Sequence, residues 1–224
     1  PFVSKAIGVP LARVATQLCL GHTLAELREQ GALNTRGEGM YFIKAPVFPW
    51  RKFPGSDVIL GPEMRSTGEV MGVGWGFGEA YAKALIAAGL TLPTEGAVFL
   101  SLRDSDKAGA IGIAGSLAHM GFHIYATTGT ARFLQERGIA CERVFKVAEG
   151  RPDIVDHIKN GKVQLMLNTP RGKKAKYDER AMRLAGLRFG VPCITTLSAA
   201  RAVVSAIRSL RAGELRVVKL QEIQ

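Results

Sequence analysis

The sequence predicts an α/β protein whose later part is a parallel five-stranded sheet flanked by helices. Three observations predict it. Apolar runs, polar turns and helical stretches alternate from residue 97 onward, the pattern of strands wrapped by helices. Glycines 121, 138, 161 and 190 fall at the ends of helical stretches, where a left-handed residue closes a helix. Each apolar run also ends in hydroxyl, amide or lysine groups.

In order, the predicted strands are AVFLSL (97–102), HIYAT (123–127), RVFKV (143–147), QLMLNT (164–169) and CITTL (193–197). Helices are predicted over 106–119, 130–137, 152–160, 178–189 and 198–211, with LRVVKLQEI (215–223) as a possible last strand. The earlier part reads differently. Helical stretches at 10–20 and 23–30 precede a segment interrupted by Pro46, Pro49, Pro54 and Pro62, and a good helix returns only at 78–89. Taken alone, this part has too few strands for a sheet and reads as the tail of a larger domain, joined by LTLPTEG (90–96). The chain therefore divides at this segment.

The net charge is +11, and it is unevenly placed: residues 1–95 hold 9 Lys and Arg against 8 Asp and Glu, while 96–224 hold 21 against 11. The basic excess belongs to the α/β part and favours anions, whether nucleic acid, a membrane surface or a small metabolite. No run reaches the roughly 18 apolar residues of a membrane span, and the opening PFVSKAIGVP lacks a signal-peptide layout. A cytoplasmic protein is expected. Cys19, Cys141 and Cys193 are far apart and odd in number, so free thiols are expected rather than a disulfide frame or zinc site.

Ligands of open α/β sheets bind outside the carboxyl ends of the strands. That rule gathers Ser101 and Lys107, Thr127, Gly129 and Thr130, Lys146, and Asn168 with Thr169 into one place. Two ammonium groups with several donors and acceptors suit a phosphorylated ligand. Each component also has a plainer reading. ATTGTARFL (126–134) is as consistent with a helix cap as with an anion cradle. Lys107 fits a solvated helix face, Lys146 fits a pair with Glu149, and Asn168-Thr169-Pro170 fits a turn.

Other motifs are weaker. His119 and His123 have i, i+4 spacing, but Gly121 separates them and no further ligand accompanies them. MGVGWGFGEA lacks both G-x-G-x-x-G spacing and a preceding strand, and TPRGKKAK lacks the first glycine of a P-loop. Its Arg171, Lys173, Lys174 and Lys176 read as a basic loop over the same pocket. Asp104 and Asp106 read as helix-start residues, and no Ser-His-Asp order or G-x-S-x-G elbow is present.

The stretches PFVSKAIGVPLA, KFPGSDVILGPEMRSTGEVMG, SLRDSDK, ATTGTARFL, KVAEGRPDIVDHIKNG, LMLNTPRG and TTLSAARA closely resemble the C-terminal end of the carbamoyl-phosphate synthase large-subunit family, across essentially the whole chain. The resemblance implies that residues 1–94 are the C-terminal portion of an ATP-grasp synthetase unit and residues 95–224 a methylglyoxal-synthase-like (MGS-like) allosteric domain. The family is a cytoplasmic, ATP-dependent ligase that makes carbamoyl phosphate from bicarbonate and glutamine-derived ammonia for pyrimidine and arginine synthesis. It uses ATP with Mg or Mn and works with a small glutaminase subunit. The resemblance places its metal-binding carboxylates and asparagine upstream of PFVSKA. This chain is accordingly expected to hold no catalytic or metal residue, to need no cofactor of its own, and to be inactive without the upstream part of the large subunit.

By motif, Ser101, Lys107, Thr127, Gly129, Thr130, Lys146, Asn168 and Thr169 fall where the family binds nucleotide effectors, UMP or IMP. Two departures argue against ornithine control: Ala45 stands where relatives carry a glutamate, and Cys193 where they carry a tyrosine. Pro170 replaces a hydroxyl of some relatives. Two rival readings remain. A stand-alone methylglyoxal synthase needs aspartates and histidines around the pocket, and the first strand is followed by RDSDK without histidine. A nucleic-acid binder needs aromatic residues interleaved with the basic ones, which are lacking, so only salt-sensitive, non-specific attraction is expected.

Overall fold

The computed structural model describes residues 1–35, 37–50, 62–147, 149–169, 176–213 and 215–223, with backbone alone for 176–178. The KFPGSDVIL stretch (52–60), Pro170, Arg171, Lys173 and Lys174 lie outside the described residues.

Three short helices open the chain: α1 (Phe2–Ile7), α2 (Leu11–Cys19) and α3 (Leu24–Glu29). The T-x-x-E spacing of Thr23 and Glu26 starts α3 through a capping box. Thr23 Oγ1 accepts from Glu26 N–H at 3.2 Å, and Glu26 Oε2 accepts from Thr23 N–H at 2.8 Å. Val9, Val14 and Leu27 form a small core between these helices.

The expectation of too few strands for a sheet is corrected here. β1 (Tyr41–Val47) and β2 (Gly68–Gly74) pair antiparallel, with Tyr41 opposite Gly74 and Val47 opposite Gly68. Pro46 sits inside β1, where a two-stranded sheet leaves an open edge that needs no N–H from proline. The glycine-rich MGVGWGFGEA therefore does hold a strand, followed by α4 (Phe77–Ala87). Its glycines serve close packing. A Cβ on Gly72 would stand 2.0 Å from Ala80 O and 2.4 Å from Ala84 N, so β2 lies directly on the backbone of α4.

The later part matches its expected class. β3 (Ala97–Ser101), β4 (His123–Ala126), β5 (Glu142–Arg143), β6 (Leu165–Asn168) and β7 (Cys193–Ile194) form a sheet of order β5-β4-β3-β6-β7. Every pairing is parallel. Between the strands run α5 (Asp104–His119), α6 (Thr128–Gln135), α7 (Ile154–Lys159) and α8 (Lys176–Phe189), and α9 (Leu197–Ala212) follows β7. Side chains alternate across the central strand. Val98 and Leu100 meet Leu117, Val203 and Ile207 on one face, while Phe99 meets Ile154, Ile158 and Met182 on the other. A strand buried on both faces reads as a continuous apolar run, which is why AVFLS was conspicuous in the sequence.

One further finding extends the sequence reading and one departs from it. Packing crosses the LTLPTEG segment: Ala82 of α4 and Leu92 belong to the same buried cluster as Val203 and Ile207. The tail LRVVKLQEI adds no strand. Val217 is 92% exposed, only a 3₁₀ turn forms at Leu220–Glu222, and the single buried anchor is Ile223, beside Gly37. Arg216 and Lys219 leave too short an apolar run to claim a sheet edge.

Candidate functional site

The strand order reverses between β3 and β6, because the chain builds outward through β4 and β5 and then returns to the other side of β3. Such a switch point opens a crevice at the carboxyl edge. Ser101 and Asn168 end these two strands as register partners, and Thr169 N–H donates to Ser101 O at 3.0 Å.

A recess of about 440 Å³, open solvent at its mouth included, lies there. Phe99, Leu102, Val147, Ile154 and Met182 supply its apolar lining, and Ser101, Lys146, Asn168, Thr169 and Glu179 its polar groups. Asn168 is only 2% exposed, and its Nδ2 has no hydrogen-bond partner among the described residues. An orphaned buried donor costs about 1–3 kcal/mol. Its retention at the mouth of a switch point favours a ligand acceptor. Thr169 Oγ1 is occupied, accepting from Arg103 N–H at 3.0 Å. The plainer reading of Lys146, an ion pair with Glu149, is replaced by a backbone contact: Glu149 Oε2 accepts from the backbone N–H of Lys146 at 3.1 Å. Among the described residues the Lys146 ammonium has no ion-pair partner.

The predicted residues of ATTGTARFL stand at the start of α6, beside the recess and outside its lining. Thr127 occupies the N-cap position without a side-chain cap bond. Its hydroxyl donates to Thr130 Oγ1 at 3.2 Å, and Thr130 Oγ1 also accepts from Leu102 N–H at 3.1 Å. Thr130, 1% exposed, thus ties α6 to the loop after β3. The Thr127 carbonyl takes the N–H groups of Thr130 and Ala131, both at 2.8 Å. Those of Thr128 and Gly129 have no partner among the described residues, and they carry the partial positive charge of a helix start.

Gly129 gives Lys107 access to this spot. A Cβ on Gly129 would stand 3.4 Å from Lys107 Nζ, whose other neighbour is Asp104 Oδ1 at 2.7 Å. Asp104 and Asp106 lie in the first turn of α5, as expected. The Arg103 guanidinium, bonded to Asp106 Oδ2 at 2.8 Å, holds the Asp106 carboxyl below its ordinary value. Two groupings result: Lys107, ion-paired with Asp104, at the α6 start, and Lys146, which shares the recess with Asn168 and Glu179.

Glu179, Met182, Phe99 and Ile154 were missed from sequence. The last two belong to core-like apolar runs, and Glu179 enters only because α8 crosses the edge of the recess; no local signal marks any of them. His119 ends α5 and His123 begins β4, where it pairs with Glu142 at 3.2 Å, so the two histidines share no helix face. Ala45 is buried in β1, and burial pushes the Cys193 thiol up to about 11; neither lines the recess. Among the described residues no group of three or more His, Cys, Asp or Glu is placed to hold a metal ion. No helix among them is long and apolar enough to cross a membrane.

A family model described as "MGS-like domain" matches residues 109–195. Together with the five-stranded parallel sheet, this makes the chain a protein with an MGS-like domain. The carbamoyl phosphate synthase large chain of Acidobacterium capsulatum is 49% identical over 224 residues, covering 99% of this chain and 20% of its own length. The carbamoyl phosphate synthase large chain, C-terminal section, of Aquifex aeolicus is 44% identical over 241 residues, covering 100% of this chain and 45% of its own. The chain is homologous to the C-terminal section of the carbamoyl phosphate synthase large chain, and it spans a fifth to under half of these two relatives' lengths. A methylglyoxal synthase structure from Elizabethkingia anophelis NUHP1 shares 17% identity at a TM-score of 0.43, covering 51% of this chain and 80% of its own. At that score the likeness says nothing of activity.

Proposed function

We propose that this chain is the effector-binding C-terminal region of a glutamine-hydrolysing carbamoyl phosphate synthase. In this reading residues 1–94 close an ATP-grasp unit, and residues 95–224 are a regulatory MGS-like domain. The observation that carries the ligand reading is the unpaired, buried Nδ2 of Asn168, in a recess shared with the Lys146 ammonium. A phosphate has the acceptors that Asn168, Lys146, Lys107 and the free N–H groups of α6 require. The apolar lining suits a base, so the ligand class is a nucleoside monophosphate such as UMP or IMP.

The enzyme as a whole is a cytoplasmic ligase. It makes carbamoyl phosphate from bicarbonate and ammonia that its small subunit releases from glutamine, for pyrimidine and arginine synthesis. ATP and its Mg or Mn belong to the upstream part of the large chain. The described residues hold no group that fits the metal, and the chain alone turns over no substrate; product formed from bicarbonate, ammonia and ATP by the purified chain would overturn this. Ala45 and Cys193, standing where relatives carry a glutamate and a tyrosine, argue against ornithine control.

Calorimetric titration of UMP and IMP tests the ligand reading. Wild type binds at least one, and Lys146→Ala weakens it about tenfold or more, as expected for a lost charge-assisted contact of about 1.5–3 kcal/mol. Equal affinity of wild type and variant sinks the assignment of Lys146.

A further inference from the structure

We infer that Glu179 sets the specificity of the recess: its carboxylate accepts a hydrogen bond from an O–H or N–H donor on the ligand, away from the ligand's phosphate. This deepens the ligand reading above and rests on it. The polar groups of the recess divide by hydrogen-bond sense. The Lys146 ammonium and the unpartnered Asn168 Nδ2 only donate, so they call for an acceptor-rich anion. A glutamate carboxylate only accepts. It repels a phosphate or a second acidic group at its own end of the recess, and it favours a ligand that carries a donor there. Met182 stands three residues on from Glu179 along α8 and lines the same recess, so this face of the helix offers an apolar surface with a carboxylate beside it. A nucleobase with a ring N–H, or the ribose hydroxyl next to it, matches both.

A plainer role for Glu179 is an i, i+4 pair with Arg183 on the same helix. That pair is loose. Arg183 Nη2 stands 3.9 Å from Glu179 Oε2, beyond hydrogen-bond reach, and Arg183 Nε is buried without a partner among the described residues. Glu179 itself is only 9% exposed. A carboxylate withdrawn from water is costly unless it is both charge-paired and hydrogen-bonded. Arg183 supplies opposite charge nearby, and a ligand donor supplies a close bond. A carboxylate has about four acceptor sites, so contacts within the chain and a bond to the ligand are made together.

Calorimetry on the whole 224-residue chain tests this, comparing the parent nucleotide, UMP or IMP, with its 2′-deoxy and its ring-N-methyl analogue. Wild type binds one analogue about tenfold or more weakly than the parent, and which one tells a hydroxyl donor from a ring N–H. Glu179→Leu brings that ratio to within about twofold of unity. In Glu179→Gln a neutral acceptor replaces a charged one, and the ratio falls to about threefold. The glutamine keeps the shape of the side chain, so this variant reports even if Glu179→Leu disturbs folding. Lys146→Ala weakens parent and analogues alike and keeps the ratio. A wild-type ratio that persists unchanged in Glu179→Gln overturns the role of Glu179 and leaves the ligand reading standing. Equal wild-type affinity for the parent and both analogues does the same. No binding of either parent nucleotide by wild type overturns the ligand reading and this inference together.

Discussion

The start of α6 and the recess between β3 and β6 lie on the same edge of one sheet and are built from the same kinds of residue, yet their polar groups are spent differently. At α6 the hydroxyls of Thr127 and Thr130 turn inward and close a bond to Leu102 N–H. In the recess Asn168 is equally buried and its Nδ2 is left open. A satisfied buried group stabilises the fold, and an unsatisfied one costs stability that a ligand can return. Residue type does not distinguish the two cases; hydrogen-bond partners do.

Three experiments press on this difference, in descending order of effect. Thr130→Val strips the acceptor from Leu102 N–H and should lower unfolding stability by about 1–3 kcal/mol, read by urea denaturation, with Thr130→Ser near wild type. A wild-type midpoint for Thr130→Val would show that the hydroxyl is not structural. Asn168→Leu should do the reverse: affinity for nucleotide falls about tenfold while stability holds or rises, because an orphaned amide gives way to an apolar group of similar size. Loss of stability with unchanged affinity would move Asn168 to the structural side of the comparison.

The smallest effect concerns His157, 7% exposed with Nδ1 unpartnered, its ring edge-on to Tyr125 at 5.0 Å. Burial holds its pKa below the ordinary 6.5, aided by Lys162 and opposed by nearby carboxylates. The folded state therefore binds its proton less readily than the unfolded state. Stability is full above the unfolded value near 6.5 and declines as pH falls from there toward the folded value. His157→Phe should flatten that decline in thermal melts taken across the window. An unchanged slope would assign the acid sensitivity to other groups.

Much of the fold was legible. Parallel strands buried on both faces announce themselves as short apolar runs, and the helices between them end at glycines such as Gly121 and Gly161, with φ of 84° and 66°. The β1–β2 pair was not legible, because Pro46 and the glycines of β2 suppress the strand signal in sequence. The reason for those glycines lies 2.0 Å away on α4. The tail failed in the opposite sense: Val217 and Val218 read as a strand but found no edge to join.

The order of residues alone determined the parallel architecture, the basic bias of the later part and the gathering of Ser101, Lys146, Asn168 and Thr169 at one edge. Each follows from short-range patterning, together with the rule that a parallel sheet presents its carboxyl ends to one side. Tertiary structure decided which of those groups are free. It withdrew Thr130 into the scaffold, left Asn168 open, brought Glu179 to the recess and set α4 on α9. Those outcomes depend on distances between residues remote in sequence, and a hydrogen bond is made or missed within half an ångström.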